Sequence, residues 1–417
     1  MKTAWIDARN PMVNQRLWGL TLLERNLREL HKLEFTEVIV LTTEKIDPVK
    51  HFCHTLPKSL KVSLIFDDSN PFESLVRELN KGSDLILALE GHALNDRRIL
   101  KRLLKVESSG ALISPTGRNR AGVAVFSSSE ISFIENQSKK NLTVMLSQAI
   151  QSSKLRGFDL SGFEPYIENL RREMAPFLLL IETPEQLKEA DQLLRKTAHK
   201  GVLEFVAKYI HPPLEFGMTR LIAHTKITPN LITAIWLILA AITIPLFATG
   251  KLFLGIILAA VSGVLDGVDG KLARLTLRFS KTGDLLDHVG GTIYDAIWYL
   301  ALGWYFANGD SNSTAAYFTY ILFGAYVVQR AVPGLFKKLH GSEIYDYAPI
   351  DIFVRLIGSR MNNNIWILMV AIIFGWAQEA FYFISIWMLA TATWHILRLM
   401  SVTWRSRTRE LLLTIKG

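Results

Sequence analysis

The pattern of apolar and polar residues divides the chain into two unlike parts. Up to about residue 195, short apolar runs alternate with amphipathic stretches, whereas long apolar runs dominate from about residue 229 to residue 404. A run of about 20 apolar residues is long enough to cross a bilayer as a helix. We therefore expect a soluble domain at 1–195, a linker with an amphipathic juxtamembrane helix at 196–228, a membrane domain at 229–404 and a basic cytosolic tail at 405–417.

The first part is predicted to be an α/β domain. Amphipathic helices are expected at Leu22–Leu33, Pro71–Asn80 and Asn95–Val106. Their alternation with short apolar runs is typical of a mostly parallel sheet. The expected strands are Trp5–Ala8, Val38–Thr42, Val62–Phe66, Asp84–Leu89 and Ala111–Ser114, with further candidates at Gly122–Phe126 and Pro176–Glu182.

Two helical segments are expected to connect the parts. Leu187–Lys200 is predicted to be a polar linker helix, and Gly201–Thr225 has apolar residues at helical spacing. The Pro212–Pro213 pair should break the second segment into two pieces. The piece after the prolines either lies on the membrane surface as an amphipathic helix or packs as a connecting helix.

The second part is predicted to be an all-α domain of six transmembrane helices. Lys and Arg concentrate in the segments 271–284, 334–363 and 405–417, whereas the opposite loops carry only Lys251. The positive-inside rule then places both termini in the cytosol, as in a multi-pass protein of the inner (cytoplasmic) membrane. The expected spans are Leu231–Thr249, Leu252–Val268, Leu285–Ala307, Ala315–Val332, Ile365–Trp376 and Phe381–Leu399.

Composition narrows the classes of function. The net charge of +9 is accounted for by the basic loops, so no nucleic-acid partner is expected. The single cysteine, Cys53, excludes an intrachain disulfide. No apolar signal segment is present in the first residues, so no secretory signal is expected.

Three aspartates mark one edge of the membrane part. Asp266 and Asp269 end an apolar run and share a helix face, and Asp287 begins the next run, with a short basic loop expected at 271–281. Carboxylates at the end of a membrane helix are costly and therefore point to function. Convergent carboxylates favour Mg²⁺ or Mn²⁺, and such an ion usually also holds a phosphate or pyrophosphate.

The three aspartates belong to a longer motif. It runs Asp266-x-x-Asp269-Gly270-x-x-Ala273-Arg274 and, after eight residues, Gly283-x-x-x-Asp287. This motif resembles the signature of the CDP-alcohol phosphotransferase family. The resemblance implies a six-helix membrane enzyme that moves a phosphoalcohol group from a CDP-alcohol to an acceptor hydroxyl and releases CMP. It also implies two metal ions on Asp266, Asp269 and Asp287, and CDP contacts from Asp266, Gly270, Ala273, Arg274, Gly283, Thr228, Pro229 and Asn230.

One position departs from the family pattern. The family's fourth aspartate, which is both a metal ligand and the proposed base, is Gly291 here. The candidates for accepting the proton are therefore Asp287, Asp295 and His288, and the alternative is that a metal-bound acceptor hydroxyl loses its proton to water. The departure also leaves open an inactive scaffold of the same fold that still binds metal and nucleotide.

The motif defines the acceptor less well. Arg330, Arg355 and Arg360 are candidates for binding an anionic acceptor, although arginines near membrane edges also snorkel to lipid phosphates. The domain layout is similar to that of di-myo-inositol-phosphate-phosphate synthases, which implies a polyol-phosphate acceptor. A lipid acceptor and a CDP-diacylglycerol donor both stay open. The family resemblance further implies a homodimer in the lipid bilayer.

The first 195 residues resemble sugar-phosphate nucleotidyltransferases. The resemblance lies in Gly19–Leu30, like the helix after their substrate loop, and in Asp84–Leu104, like their strand with a metal-binding aspartate. Their glycine-rich phosphate loop is missing after the first strand, at 7–11, and His92 stands at the position of the metal aspartate. Without glycines a loop does not bring a row of N–H groups onto a triphosphate. We expect an inactive domain of this fold; the alternative is a membrane-anchored nucleotidyltransferase.

Two other interpretations of the aspartates are weaker. In a structural network they would pair with Lys271 and Arg274, but the motif match is too specific for that interpretation. In a transporter they would lie on an ion pathway, but no inverted repeat is evident in the sequence.

Overall fold

The structure of the protein is a computed structural model that describes residues 2–43, 52–66, 70–81, 85–105, 109–112, 122–136, 141–160 and 162–416. Within these ranges an α/β half precedes a helical half. The strands are β1 Thr3–Asp7, β2 Arg16–Leu17, β3 Leu20–Thr21, β4 Glu37–Thr42, β5 Lys61–Phe66, β6 Ile86–Glu90, β7 Ala93–Asn95, β8 Gly110–Leu112, β9 Val123–Phe126, β10 Arg156–Phe158, β11 Tyr166–Ile167, β12 Arg172–Glu173 and β13 Leu178–Leu180. The helices are α1 Leu22–Lys32, α2 Glu73–Asn80, α3 Arg97–Leu103, α4 Ile131–Glu135, α5 Leu142–Gln151, α6 Pro184–Ala198, α7 His211–Ile222, α8 Pro229–Ala248, α9 Leu252–Leu275, α10 Lys281–Ala307, α11 Thr314–His340, α12 Pro349–Ile357, α13 Met361–Ile373 and α14 Ala377–Lys416.

A seven-stranded sheet lies at the centre of the first half, in the order β10-β8-β9-β6-β1-β4-β5. Its strands pair in parallel, except that β9 is antiparallel to both β6 and β8. Every residue of β1 and β6 is buried, as expected for central strands that are covered on both faces. The predicted α/β fold with a mostly parallel sheet is confirmed.

Successive side chains of the central strands pack on opposite faces of the sheet. Ile6 and Val40 pack with side chains of α1, whereas Trp5 and Ile39 pack with those of α2 and α5. Each predicted strand segment contains a strand, and the three predicted helices form. The pattern did not predict the short elements β2, β3, β7, β10, β11, β12 and α4, or the helix α5. The predicted limits at Asp84, Val106 and Ser114 lie outside the described residues.

Six helices of the second half correspond to the predicted spans: α8, α9, α10, α11, α13 and α14. In the described residues, four segments are long and apolar enough to cross a membrane by length and composition: Pro229–Ala248, Leu252–Leu275, Pro349–Ile373 and Ala377–Ser406. A membrane domain is thereby supported, and the count of six spans stays a prediction. Helix α14 continues to Lys416, so residues 405–416 are helical, and their place as a basic cytosolic tail stays a prediction.

Helix α9, which carries two of the aspartates, is longer than the pattern predicted. It continues to Leu275 because its inner face stays apolar, with Leu272 fully buried. Lys271 and Arg274 are therefore helical residues, and the basic loop expected between the aspartates shrinks to 276–280.

The linker helix α6 forms as predicted, and a π-helical turn at Val206–Ile210 leads into α7. The Pro212–Pro213 pair lies in the first turn of α7, where a missing N–H costs little. An apolar outer face on α7, with Leu221 76% exposed, fits a helix at the membrane surface, which stays a prediction. The face packed on α9 buries polar side chains: His211, Glu215 and Thr219.

The two halves meet through close backbone contacts. The Arg25 guanidinium donates to the carbonyl oxygens of Leu17 at 3.0 Å and of Leu275 at 2.8 Å, and Leu275 is the last residue of α9. Gly19 has a φ of +77°, and a Cβ built on it would stand 1.9 Å from the carbonyl oxygen of Ala223. A side chain at Gly19 would therefore force the halves apart.

Candidate active site

Three carboxylates meet where α9 and α10 lie side by side. One carboxylate oxygen from each of Asp266, Asp269 and Asp287 lies within 4.8 Å of the other two. Asp266 is exposed, Asp269 is buried and Asp287 lies between these extremes. The structure thus brings together the three side chains that the motif singled out. Their oxygen atoms are of the kind that hard divalent cations prefer.

Helix α8 supplies two donors that orient Asp269. The hydroxyl of Thr233 and the indole N–H of Trp236 both donate to Asp269 Oδ2, at 2.5 and 3.1 Å. One carboxylate oxygen is thereby occupied, and the other is left for a ligand. Sequence reasoning missed both residues, although their i, i+3 spacing in an otherwise apolar helix is a weak signal.

The basic residues next to the aspartates are engaged elsewhere. Lys271 pairs with Glu215 of α7, and Arg274 Nε donates to the carbonyl oxygen of Ala198 at 2.8 Å. Gly267 makes room for this pair, since a Cβ there would stand 1.8 Å from Glu215 Oε1. In the described part of the chain no Lys or Arg pairs with the three aspartates, so the structural network considered above is not what forms. Glu215 was not predicted, because nothing in its local sequence marks it.

The position that lacks the fourth aspartate has free space. A Cβ on Gly291 would meet only the edge of Trp236, at 3.5 Å. Of the candidate proton acceptors, Asp295 forms an ion pair with Arg330. The side chain of His288 is 67% exposed, and its Nδ1 lies 3.4 Å from Asp287 Oδ2.

A cavity of about 410 Å³ connects these groups. The predicted CDP residues Ala273, Gly283, Thr228, Pro229 and Asn230 are not among the residues that line it. The predicted site residues that do line it are Asp266, Asp269, Gly270, Arg274, Asp287, His288, Asp295, Arg330, Arg355 and Arg360.

The residues outside the cavity lining hold the starts of two helices. Thr228 caps α8 by accepting the N–H of Leu231 at 3.1 Å. Asn230 donates to the hydroxyl of Ser280 at 3.1 Å, and Ser280 caps α10 by accepting the N–H of Gly283. A Cβ on Gly283 would stand 2.3 Å from Asn230 Oδ1. CDP contacts at these positions stay a prediction.

The same cavity has a basic part, built by Lys200, Glu204, Arg330, Arg355 and Arg360. Arg355 pairs with Glu204 at 3.1 Å. Although burial raises the pKa of Glu204, Arg355 and Arg360 lower it to about 2, so this carboxylate is a poor proton acceptor. In the described residues Lys200 and Arg360 have no ion-pair partner. Lys200 and Glu204 belong to no motif, which is why sequence reasoning missed them.

The soluble half has an acidic group of its own, at the carboxyl ends of β1 and β6. Asp7 and Glu90 are neighbours in the sheet, and each is 2% exposed. Arg9 pairs with Asp7 at 2.6 Å, and the N–H and hydroxyl of Thr143 donate to Glu90 at 2.8 and 2.6 Å. Burial and Asp7 raise the pKa of Glu90 to about 7, and burial lowers the pKa of His92. The chain's own donors therefore fill the sheet edge where ligands bind in α/β folds.

A family model matches most of the membrane half. Residues 226–404 match the model of CDP-alcohol phosphatidyltransferase. The match confirms the family resemblance of this segment.

Curated relatives match parts of the chain. A protein of Thermococcus kodakarensis named "Bifunctional IPC transferase and DIPP synthase" is 34% identical over 135 residues, which are 30% of this chain and 31% of that protein. A protein of the same name from Aquifex aeolicus is 26% identical over 267 residues, or 64% of this chain and 57% of that protein. The chain therefore spans only about a third to just over half of the length of these relatives.

Two solved structures, of two different kinds of protein, are similar to parts of this chain. The phosphatidylinositol phosphate synthase of Mycobacterium tuberculosis with CDP-DAG bound is 18% identical, with a TM-score of 0.34, and the match covers 46% of this chain and 93% of that one. The inositol-1-phosphate CTP transferase from T. maritima is 15% identical, with a TM-score of 0.35, and the match covers 47% of this chain and 96% of that one.

Proposed function

We propose that the protein is a membrane phosphotransferase that moves the phosphoalcohol group of a CDP-alcohol onto an acceptor hydroxyl. One observation carries the proposal: three carboxylates come together at one cavity, and no Lys or Arg of the described chain pairs with them. Carboxylates gathered this closely repel one another unless a cation joins them. The family match of residues 226–404 supports the same reaction.

The bonds that change follow from the donor. The acceptor oxygen forms a new bond to the β-phosphorus, the bond from that phosphorus to the oxygen of CMP breaks, and CMP leaves. The proton of the hydroxyl passes to a base. Such a transfer requires positioning and neutralisation of charge rather than a covalent intermediate with the protein.

The three aspartates fit a hard divalent cation, Mg²⁺ or Mn²⁺. Asp266 faces open space, and the donors from Thr233 and Trp236 leave one oxygen of Asp269 free. When bound, such a cation would neutralise the pyrophosphate of the donor. Arg274 lines the same cavity, and its guanidinium is suited to a phosphate oxygen.

We assign to Asp287 the role of the base that accepts the proton of the acceptor hydroxyl. It lies one helical turn from Gly291, on the same face of α10, and it is partly open to the cavity. Asp295 is already paired with Arg330, and Glu204 has a lowered pKa. His288 Nδ1 bonds the carbonyl oxygen of Asp284 at 3.0 Å and lies 3.4 Å from Asp287 Oδ2, so we place it beside the base rather than in that role.

The basic part of the cavity is the proposed acceptor site. Arg330, Arg355 and Arg360 line it, as the sequence predicted for an anionic acceptor. The names of the curated relatives, IPC transferase and DIPP synthase, support a polyol-phosphate acceptor. A lipid acceptor is the other class that this basic part would accept.

A second candidate function rests on Gly291. A protein that keeps the metal site but lacks the family's fourth aspartate would bind metal and nucleotide without turnover. The third candidate, a membrane-anchored nucleotidyltransferase, is disfavoured because Arg9 and Thr143 occupy the carboxylates at the sheet edge.

A screen of CDP-alcohols and acceptors tests the proposal. The full chain, in membranes, is given labelled CDP-alcohols together with polyol phosphates or lipids, and both CMP and the new diester are measured by mass spectrometry. Metal-dependent release of CMP with formation of a diester is the expected result. Binding of Mn²⁺ and CDP-alcohol without CMP release would favour the scaffold, and pyrophosphate release from CTP would favour the nucleotidyltransferase.

We further propose a homodimer in the inner membrane, with six spans and both termini in the cytosol. The charge asymmetry of the loops supports this topology. In a chain with Cys53→Ser, a cysteine introduced by Ser311→Cys should react with an impermeant reagent from the outside. Reaction from the cytosolic side alone would refute this topology.

A further inference from the structure

A short hairpin of the soluble half lies against the basic part of the cavity. It consists of β11, a 3₁₀ turn at Glu168–Leu170 and β12, and we call it the 166–173 hairpin. Its partners are the end of α11 and the loop that follows: Tyr166 donates to Asp346, and Lys337 pairs with Glu168 at 3.4 Å. The hairpin is thus fixed to the membrane half at the loop before α12.

Arg171 occupies a special position in this hairpin. Its φ of 47° and ψ of 50° are left-handed, which costs free energy for a residue other than glycine. Its carbonyl group packs on Gly201, where a Cβ would stand 2.4 Å from the oxygen, and Gly201 N–H donates to Leu170 at 2.8 Å. This docking holds Arg171 beside Lys200, a residue of the cavity lining. The backbone therefore places the Arg171 side chain at this spot at a cost in free energy.

The Arg171 side chain completes a ring of cations around Tyr345. The guanidinium groups of Arg171, Arg355 and Arg360 lie 5.1, 4.5 and 5.8 Å from the centre of the Tyr345 ring. Although burial raises the pKa of Tyr345, these arginines lower it below its ordinary value. Arg171 therefore contacts the same aromatic ring as two arginines of the cavity lining.

The charges at this place do not balance. Lys200, Arg171, Arg355 and Arg360 supply four positive charges, and the carboxylates paired with them in the described chain are two, Glu204 with Arg355 and Glu343 with Arg171 at 3.5 Å. Arg355 is only 8% exposed, yet within the described residues its Nε and Nη1 have no hydrogen-bond partner. Two unbalanced positive charges match a phosphate monoester, which carries about −1.5 to −2 at pH 7. Buried donors without partners indicate that a ligand supplies the missing acceptor atoms.

We propose that Arg171, together with Lys200, extends the acceptor site into the soluble half and selects acceptors that carry a phosphate monoester. This inference rests on the proposed function for the identity of the acceptor, but phosphate binding itself does not require turnover. The soluble half then contributes to the substrate preference of the membrane half through a side chain, without any chemistry at its own sheet edge.

Equilibrium binding to the full chain in detergent tests the inference. The probes are myo-inositol 1-phosphate, as a soluble phosphate monoester, and phosphatidic acid, as a lipid one; myo-inositol is the uncharged control. Arg171→Gln should weaken binding of the phosphate probe about tenfold, since it removes one charge from a partly shielded site. Arg171→Lys should restore part of the loss. Binding of Mn²⁺ and of the CDP-alcohol should stay at wild-type strength.

The neighbouring arginine provides a matched control. Arg172 lies in the same hairpin, but its guanidinium donates to the carbonyl oxygen of Lys196, away from Tyr345. Arg172→Gln should bind the probes like the wild type. If Arg171→Gln binds them as tightly as wild type, if Arg172→Gln loses as much, or if wild type binds no phosphate monoester, the inference is overturned.

The outcomes separate the inference from the proposed function. If phosphate binding depends on Arg171 in a protein that releases no CMP, the inference is supported and the proposed transferase activity is refuted. Turnover in which Arg171→Gln leaves the KM for the acceptor unchanged would refute the inference alone. Where the inference holds, Arg171→Gln raises that KM and leaves kcat unchanged. The probe that shows the dependence on Arg171 identifies the phosphate as soluble or lipid-borne.

Discussion

The two acidic groups of this molecule have similar chemistry and opposite surroundings. At the sheet edge, Asp7 and Glu90 are sealed from solvent and bonded to Arg9 and Thr143. At the membrane edge, the aspartates of α9 and α10 line a cavity, and only one of their oxygens, on Asp269, is held by donors from α8. In the first group the chain itself satisfies the carboxylates, and in the second it leaves them to be satisfied by something else.

The difference shows how a filled group of carboxylates differs from an open one. A carboxylate in either place pays for its desolvation, so its presence alone says little about function. The informative feature is whether the partners that compensate the charge belong to the chain. By that measure the carboxylates at the membrane edge are open to a cation, whereas described residues of the chain fill the sheet edge.

The largest expected effect is at Asp269. Asp269→Asn keeps an oxygen for Thr233 and Trp236 and replaces the free oxygen by an amide, so it should weaken Mn²⁺ binding more than the roughly 10–100-fold of an outer-shell change. Isothermal titration with Mn²⁺ measures it. Asp284→Asn is the matched control, since Asp284 lies one turn before Asp287 on α10 and is 80% exposed. Wild-type affinity in Asp269→Asn would remove the basis for the proposed site.

The next effect concerns Glu90 and pH. Its pKa is raised to about 7 by burial and by Asp7, so the folded protein holds this proton more tightly than the unfolded chain does. The stabilisation is complete below pH 4.5 and is lost as the pH rises through 7, with an upper limit of about 3 kcal/mol. Glu90→Gln should not show this loss.

The free energy of unfolding of the soluble half is measured in the full chain by urea titration at several pH values between 4.5 and 8. Susceptibility to a protease reports the unfolded fraction at each urea concentration. Glu135→Gln is the control, because Glu135 is exposed. Parallel pH profiles for wild type and Glu90→Gln would show that the carboxylate is charged at the sheet edge, and the contrast between the two acidic groups would weaken.

A smaller effect is expected from the donors on α8. Thr233→Val and Trp236→Phe each remove one hydrogen bond to Asp269 and should weaken Mn²⁺ binding about 10–100-fold without removing it. Thr249→Val, at the far end of the same helix, should have no effect. Unchanged binding in both variants would mean that Asp269 is oriented by other contacts.

The smallest effect is expected at Gly291. Gly291→Asp has room beside Trp236 and adds a carboxylate next to Asp287, so it should strengthen Mn²⁺ binding roughly fivefold. Asp295→Ala should leave Mn²⁺ binding intact, because Arg330 already holds that carboxylate. Gly290→Asp is expected to destabilise the fold, since a Cβ there would stand 2.7 Å from Leu237. If Gly291→Asp weakens metal binding in a folded protein, the comparison with the family at this position fails.

Local pattern was enough to predict most of the long elements and the three aspartates. Strand alternation and apolar runs depend on a residue's immediate neighbours, and Asp266, Asp269 and Asp287 follow a spacing set by two consecutive helices. The helical state of Lys271 was missed because its charge suggested a loop, whereas its ion pair with Glu215 allows it to stay in α9.

The contacts that distinguish this site lie beyond local pattern. Thr233 reaches Asp269 across 36 residues, and Arg171 reaches Tyr345 from the other half of the chain. Nothing near either residue in the sequence marks the pairing, since it depends on how α8 packs on α9 and how the 166–173 hairpin docks. The filled sheet edge was foreseen only in part: the missing glycines indicated inactivity, but the bonds from Thr143 come from a helix that was not predicted.

Arg25 has a consequence for how such a chain can change over generations. Its guanidinium caps α9 from the soluble half, so the helix that carries Asp266 and Asp269 ends on a donor from another domain. A lineage that lost the soluble half would leave the Leu275 carbonyl without this donor and would loosen the last turn of that helix. Changes at the sheet edge can therefore leave this contact intact, because Arg25 lies in α1 and not at that edge. The soluble half then acts as a clamp on α9, independently of any chemistry at its own sheet edge.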